Sequence, residues 1–351
     1  MRTAGASGSA VRPLCTVELS ERKDEMRTRP SRTPEPPPIW RRSVHLFPGQ
    51  GDFSVGSLIR AAQAGSMGAA VREVFEQIDE VAVERGLRPL GPWLLGRQPP
   101  SGRELAQAAT GTSQLALFGA SMAVHQALSA SYGVPSAVVG VSFGEIAALT
   151  AAGVLTVRDG ARAAQDLAVV LASCPGGLTL LGCAEQSARR LLEGAGAPDA
   201  VVAVVNDDRC VVIAGPVPAL TRVEKVAGDA GVSTVRLRLP FSSHHPALAD
   251  QCEAFATSVR AYPLAPARLP VYSAVAGRRY RPDDDLPQRL ADCLVRPAVV
   301  PTVLRQAAVH GPDVFFEAGT GDALAASARR ILSASPAPPV HAPLAEPDFP
   351  W

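Results

Sequence analysis

The 351-residue chain has little lysine and no long apolar run. Lys23 and Lys225 are its only lysines, so arginine supplies nearly all of the 34 basic side chains and can bind carboxylates through forked hydrogen bonds. The 33 acidic residues leave a net charge of +1, which argues against a nucleic-acid partner. No stretch of about 18 apolar residues occurs, which argues against a membrane-spanning helix. The charged N-terminus also lacks the apolar core of a secretory signal, so we expect a cytoplasmic protein.

The six cysteines are dispersed and include no CxxC pair. A chain of this length can bury a sizeable core without disulfides, so we expect reduced, buried thiols. No cluster of cysteine and histidine has the spacing of zinc ligands, and we therefore expect no metal site.

Both ends of the chain are rich in proline. Residues 1–42, which also abound in Arg, Ser and Thr, are predicted to form a disordered tail because they cannot bury enough apolar surface. Met26 lies inside this tail, and the sequence leaves open whether Met1 or Met26 is the start. Residues 336–351 are predicted to form a Pro-rich C-terminal tail.

Between the tails, apolar strand-like segments alternate with helical ones. This alternation favours an α/β fold with a mostly parallel sheet. Residues 43–172 and 239–335 are predicted to form a large α/β-hydrolase-like subdomain. Residues 173–238 follow the order strand, helix, two strands, helix, strand, which is typical of a small ferredoxin-like subdomain.

The segment Gly140–Gly144 reads G-x-S-x-G and places Ser142 at a sharp turn between a predicted strand and a predicted helix. Small neighbours are needed there because the backbone is strained and the serine Oγ must protrude. The backbone N–H groups at the start of the helix point towards any oxyanion that forms at this serine. The pattern therefore indicates a nucleophile, although it is weak by itself.

Three further motifs carry polar side chains. Pro48–Gly51 reads P-G-Q-G after an apolar strand, Gln114 lies early in a helix predicted over 111–131, and residues 241–246 read F-S-S-H-H-P. Each has a purely structural interpretation when it is taken alone: a turn, a hydrogen-bonded amide near a helix start, and a structural histidine.

Taken in order, the four motifs resemble the malonyl-CoA:acyl-carrier-protein transacylase family, which includes the acyltransferase domains of polyketide synthases. The resemblance covers roughly residues 44–335 and implies thioester exchange by a ping-pong route. Ser142 would be the nucleophile and His244 the base, oriented by a main-chain carbonyl. The resemblance also implies that the N–H groups of Gln50 and Phe143 hold the oxyanion.

The resemblance further implies that Gln114 is a second active-site glutamine and that no cofactor is bound. The acyl group would arrive as a phosphopantetheine thioester, on an acyl carrier protein or on CoA. The family register S-H-x-P favours His244 over His245 as the base. His245 is then predicted to line the pocket or to have no chemical role.

The sequence departs from the family at the substrate pocket. Members that bind dicarboxylic acyl groups carry an arginine at the position of Leu167, where it pairs with the substrate carboxylate. Without that partner, burying the carboxylate costs several kcal/mol, so we expect malonyl and methylmalonyl groups to be poor substrates. Leu167 is predicted to form an apolar wall for an uncharged acyl chain. Val141, which replaces a usual histidine, and Ser243 are also predicted to line the reshaped pocket.

The implied partner is an acyl carrier protein that the chain meets in trans, with acyl-CoA as a further donor. Acidic carrier proteins would dock on surface arginines. The candidates are Arg189, Arg190, Arg329 and Arg330.

Four alternatives remain open from the sequence. The chain could be an editing hydrolase of stalled acyl groups, a malonyltransferase with a relocated arginine, or a non-catalytic carrier-protein-binding subunit. An ordinary α/β-hydrolase would need a late histidine such as His310. The identity of the acyl group, its donor and the oligomeric state are also left open.

Overall fold

The computed structural model describes residues 40–51, 54–63, 65–334 and 336–351. Most of the tail predicted over residues 1–42 therefore lies outside the described residues, together with Met26. Residues 40–42 belong to the folded part, because the Arg42 side chain pairs with Asp313 at 3.4 Å and its N–H donates to the same carboxylate. The predicted tail boundary is thus a few residues too late.

Helices and short strands alternate along the described chain. The strands are β1 (Ser43–Phe47), β2 (Ala137–Gly140), β3 (Gly177–Leu181), β4 (Val201–Asp207), β5 (Cys210–Gly215), β6 (Thr234–Arg236), β7 (Val271–Ser273), β8 (Arg278–Arg279), β9 (Ala298–Val299), β10 (Val314–Glu317) and β11 (Val340–His341). The α-helices are α1 (Val55–Ala62), α2 (Gly65–Glu84), α3 (Gly91–Leu94), α4 (Gly102–Ala106), α5 (Thr112–Tyr132), α6 (Gly144–Ala151), α7 (Val157–Leu171), α8 (Glu185–Gly194), α9 (Val217–Asp229), α10 (Ala249–Arg260), α11 (Leu286–Ala291), α12 (Val300–Ala308) and α13 (Ala323–Ile331). Within this part of the chain, no helix combines the length and apolarity needed to cross a bilayer.

The larger sheet has the strand order β11-β10-β1-β2-β7-β8. All neighbouring pairs are parallel except β7 and β8. Strands β1 and β2 are buried along their whole length, as expected for parallel strands that helices cover on both faces. Phe47 at the end of β1 pairs with Gly140 at the end of β2, so the loops that follow these two strands meet at one edge of the sheet.

The smaller sheet has the order β6-β3-β5-β4-β9. Its first four strands pair antiparallel, and helices α8 and α9 pack on one face over an apolar cluster that includes Leu181 and Ile213. This is the ferredoxin-like arrangement predicted from the order of elements. Strand β9 comes from the large part of the chain and adds in parallel to β4. The two sheets together confirm the predicted α/β fold class.

The prediction of a C-terminal tail over residues 336–351 is wrong. Strand β11 pairs with β10 at the edge of the large sheet, and Leu344 and Phe349 are buried. The Phe349 ring contacts the rings of Phe316 and Tyr132 at centroid distances of 5.8 and 6.0 Å. The Pro-rich composition gave no indication of these contacts. A few aromatic side chains suffice to anchor such a segment.

Three of the described cysteines, Cys174, Cys252 and Cys293, are buried and form no disulfide with any residue the structure describes. Burial raises the pKa of the Cys174 thiol to about 11, so this thiol stays protonated and unreactive near neutral pH. The burial of these three side chains agrees with the expectation, whereas Cys183 and Cys210 are only partly buried.

Candidate active site

The turn that carries Ser142 lies between the end of β2 and the start of α6. Ser142 has a φ of +56°, a left-handed conformation that costs energy for any residue with a side chain. A Cβ at Gly140 would lie 2.6 Å from Glu145 Cα, and one at Gly144 would lie 2.6 Å from Pro48 O. Both glycines are therefore required for the close approach of the neighbouring backbone, which gives the G-x-S-x-G pattern its physical basis.

The structure brings Ser142 and His244 together. Ser142 Oγ lies 2.7 Å from His244 Nε2, and His244 Nδ1 lies 2.7 Å from the backbone oxygen of Arg296. A carbonyl oxygen can only accept, so Nδ1 carries the proton and donates to it. Nε2 is then unprotonated and accepts the Ser142 hydroxyl proton, which is the arrangement that activates a serine.

Burial lowers the pKa of His244 to about 4, although the hydrogen bond to the Arg296 carbonyl acts in the opposite direction. The imidazole is therefore neutral near pH 7 and able to take a proton. His244 also has a φ of +56°, and its N–H donates to Cys293 O at 3.2 Å. The loop thus holds the ring in place through its backbone as well as through Nδ1.

The P-G-Q-G turn packs directly against the serine. A Cβ at Gly49 would lie 3.3 Å from Val141 O and 3.7 Å from Ser142 Cβ. Within the described residues, the backbone N–H groups of Gln50 and Phe143 donate to no other group of the chain. Both are therefore available to an oxyanion beside Ser142.

Gln114, on helix α5, forms a hydrogen bond with a residue of the same turn. Its Nε2 donates to Gln50 Oε1 at 2.8 Å. Gln114 does not itself line the cavity beside Ser142. The structure therefore places it behind Gln50, where it fixes the side chain of that residue.

A cavity of about 170 Å³ opens beside Ser142. Aliphatic side chains dominate its wall, and none of the described lining residues is an arginine, a lysine or a carboxylate. The lining residues are Pro48, Gly49, Gln50, Gly51, Val141, Ser142, Leu178, Leu180, Val204, Asn206, Val212, Leu237, Leu239, Phe241, Ser243, His244, Ala323 and Leu324. Val141 and Ser243 thus line the cavity as expected.

Most of the apolar wall comes from the small sheet. Leu178 and Leu180 on β3, Val204 on β4 and Val212 on β5 belong to the face that α8 and α9 leave uncovered. Apolar residues on both faces of these strands were the available sequence signal, because a sheet covered on one side only would alternate with polar residues. The sequence analysis missed these side chains.

The expectation that Leu167 forms a wall of the cavity is wrong. Leu167 is buried in the large core and is absent from the cavity lining. It lies on the inner face of α7, which packs against α2, α5 and α10. An aliphatic side chain at this position is buried in the apolar core, whereas a longer polar side chain would have to extend out of that core.

His245 does not line the cavity either, which corrects its assignment as a substrate-binding residue. Its Nδ1 accepts the N–H of Ala247 at 3.2 Å and so caps the 3₁₀ turn Pro246–Leu248. Nε2 then carries the proton and donates to Asp199 O at 3.0 Å. His245 therefore joins the loop of the base to the small subdomain.

Two of the four predicted docking arginines hold parts of this chain together. Arg329 donates to Val340 O at 2.7 Å and pairs with Glu346, so it anchors the C-terminal segment. Arg330 pairs with the fully buried Asp207 at 2.5 Å. These contacts explain both residues without a partner protein.

The other two arginines lie on α8 at the surface of the small subdomain. Arg189 forms an i,i+4 ion pair with Glu185 at 2.6 Å, and Arg190 donates to Ser187 Oγ at 3.0 Å. Exposed pairs of this kind are weak and can exchange partners. Docking by these residues stays a prediction.

Glu145 is a further residue of the site region that the sequence analysis missed. Its buried carboxyl group accepts hydrogen bonds from Ser273 Oγ at 2.8 Å, from Val275 N–H at 3.2 Å and from the Tyr280 hydroxyl. Burial raises its pKa to about 7, against the lowering effect of these donors. Glu145 directly follows the G-x-S-x-G motif and ties the start of α6 to β7.

Comparisons with known proteins agree with this site. A model of the acyl transferase domain family matches residues 38–341. The chain is 31% identical over 288 residues to the polyketide synthase GfsB of Streptomyces halstedii, an alignment that covers 80% of the chain and 5% of that protein. A second relative, polyketide synthase GfsA of the same organism, is 31% identical over 245 residues, or 67% of the chain and 3% of the relative. The chain therefore spans only a small part of these curated relatives.

Solved structures show the same fold. The malonyl-CoA:acyl carrier protein transacylase of Xanthomonas oryzae is 26% identical, with a TM-score of 0.76, and the match covers 88% of this chain and 96% of that one. The acyltransferase domain from the second module of the salinomycin polyketide synthase is also 26% identical, with a TM-score of 0.72, covering 88% and 70%.

Proposed function

Because the chain belongs to the acyl transferase domain family, we propose that it transfers an uncharged acyl group between thiols through an ester of Ser142. The observation that carries this proposal is the pairing of Ser142 and His244 at the mouth of an aliphatic cavity. Ser142 and His244 act as nucleophile and base, and the cavity selects the acyl group.

The reaction runs in two balanced steps. As Ser142 Oγ attacks the thioester carbon, His244 Nε2 takes the hydroxyl proton, and the N–H groups of Gln50 and Phe143 stabilise the oxyanion. The carbon–sulfur bond then breaks, and His244 returns the proton to the leaving thiolate. A second thiol then gives its proton to His244 and attacks the ester carbon. The bond from that carbon to Ser142 Oγ breaks, and His244 returns the proton to the serine oxygen.

A histidine that is oriented only by the carbonyl of Arg296 suffices for this chemistry. A thioester has a good leaving group, so the serine needs less activation than it would for an amide. The carbonyl fixes the tautomer of His244 and the direction of its ring. Burial keeps the ring neutral and so ready to act as a base.

The aliphatic wall supports an uncharged substrate. A malonyl carboxylate in this cavity would lose its water shell and meet no cation among the described lining residues, at a cost of several kcal/mol. The resemblance implies a carboxylate-binding arginine at position 167, and the leucine found there carries no charge that could pair with a carboxylate. A short or medium alkyl chain fits the wall of leucine and valine.

We take the thiol partners to be the phosphopantetheine arms of acyl carrier proteins, with acyl-CoA as a further donor. The named relatives are polyketide synthases, which supports this assignment. Addition of the carrier protein as a separate polypeptide tests whether the chain acts in trans.

The test is to incubate the protein with butyryl and octanoyl thioesters of CoA and to follow its intact mass. We expect one acyl adduct on the wild type and none on Ser142→Ala. On addition of a holo carrier protein, the acyl group should move to the carrier thiol faster than it is lost to water. Faster loss to water would favour the editing hydrolase, and an adduct on Ser142→Ala would refute the nucleophile.

A further inference from the structure

The cavity beside Ser142 has walls from two subdomains. Val204 and Asn206 lie on β4 of the small sheet, whereas Ala323 and Leu324 open helix α13 of the large subdomain. Strand β4 and helix α13 lie far apart in the sequence, so contacts between them, and not the nearby covalent chain, hold these two walls together. The width of the cavity therefore depends on what holds β4 against α13.

Asp207 is a charged, buried tie between the two elements. It directly follows Asn206, and its side chain has no exposed surface. Its Oδ2 accepts hydrogen bonds from Ser327 Oγ at 2.6 Å and from Arg330 Nε and Nη2 at 3.0 and 2.5 Å. Hydrogen bonds between a guanidinium and a carboxylate are about twice as strong as neutral ones, so this tie is firm.

The same carboxylate fixes an irregularity in β4. Val205 pairs with Val211 and Asp207 with Cys210, so Asn206 is an extra residue in this strand and forms a β-bulge. Such bulges redirect a side chain, and here Asn206 lines the cavity. The second carboxylate oxygen, Oδ1, accepts the N–H of Arg209 at 2.8 Å and so holds the turn that follows the bulge.

Other ties between the subdomains include a hydrogen bond from Ser242 N–H to Cys174 O at 3.0 Å. Val204 pairs with Ala298 through β9, and His245 donates to Asp199 O, which precedes β4. None of these contacts involves α13. The carboxylate of Asp207 connects the cavity end of β4 with the helix that carries Ala323 and Leu324.

We infer that Asp207, through Ser327 and Arg330, is a positioning residue. It sets the distance between β4 and α13, and thereby the size of the cavity and the length of acyl chain that the cavity accepts. This inference rests on the proposed function, since it takes the cavity as the place of the acyl chain. Without the tie, β4 and α13 separate and the cavity admits longer chains. Ser142 and His244 keep their own hydrogen bonds and are unaffected.

The test uses butyl and octyl fluorophosphonates, which label an activated serine without any thioester donor. The readout is the ratio of the two labelling rates at Ser142, measured by intact mass on the full chain. In Asp207→Asn, which keeps an acceptor for Ser327 and loses the charge, we expect the octyl-to-butyl ratio to rise about fivefold. A merely structural defect would lower both rates and leave the ratio unchanged.

Glu185→Gln is the matched control, because it removes a carboxylate from an ion pair of the same subdomain away from the cavity. Ser327→Ala, which leaves the ion pair of Asp207 and Arg330, should raise the ratio about twofold and decides the matter if Asp207→Asn does not fold. A ratio equal to that of the control in the folded variants overturns the inference. If thioesters fail to acylate the wild type while both phosphonates label it, the proposed function fails, and the ratio still tests whether Asp207 sets the size of the cavity.

Discussion

His244 combines two features that decide how the residue behaves with pH. Its Nδ1 is committed to the carbonyl of Arg296, so only Nε2 can bind a further proton. Burial disfavours the charged ring and lowers its pKa from 6.5 to about 4. The active, neutral form of the base is therefore populated over a wider acidic range than an exposed histidine would allow.

The first expected consequence is an acid limb shifted to low pH. The rate of Ser142 acylation should stay level as the pH falls through 6.5 and should halve only near pH 4, where His244 becomes protonated. Stopped-flow acylation by butyryl-CoA at each pH, with circular dichroism to confirm that the chain is folded, measures this. An inflection near pH 6.5 would contradict the burial of the base.

At the scale of elements, the site depends on how closely β1, β2 and α6 approach one another. The glycines of the serine turn have no room for a side chain, because Gly144 faces the backbone oxygens of Phe47 and Pro48. The same approach brings the P-G-Q-G turn beside Ser142. The close packing of β1, β2 and α6 therefore also determines the position of Ser142.

The variant Gly144→Ala tests this approach. We expect a loss of about 3 kcal/mol in the free energy of unfolding, because the added methyl group overlaps backbone that cannot yield. The part of the protein that remains folded should acylate poorly, since α6 must move. Urea denaturation of the variant measures the first effect.

Gly228→Ala is the control for that variant. A Cβ at Gly228 meets no atom within 4 Å, and the residue lies near the end of α9 with a negative φ. We expect it to gain about 0.5 kcal/mol in stability, because alanine favours the helix. A loss of stability in both variants would show that the crowding at Gly144 is not the cause.

The elements of the fold were largely predictable from local patterns, whereas the cavity was not. The serine turn, the helix predicted over 111–131 and the ferredoxin-like order of residues 173–238 follow from local sequence patterns alone. The cavity wall depends on which face of β3 and β5 the helices α8 and α9 cover. Tertiary packing decides this, and local sequence patterns do not show it. The carbonyl of Arg296 carries no signal at all in the sequence, because every residue has one.

At the scale of the whole molecule, function arises where the two subdomains meet. The large subdomain supplies the Ser142 turn and the loop of His244, and the small sheet supplies the aliphatic wall. In the proposed function, the smaller sheet is the main part of the wall that selects the acyl group.

The most direct measurement offers malonyl-CoA and butyryl-CoA to the wild type together, at equal concentration, and resolves the Ser142 adducts by intact mass. We expect the butyryl adduct to exceed the malonyl adduct by more than about tenfold, which corresponds to about 1.4 kcal/mol in the barrier. A malonyl adduct as the main species would contradict this expectation, because the described cavity holds no cation to pair with that carboxylate.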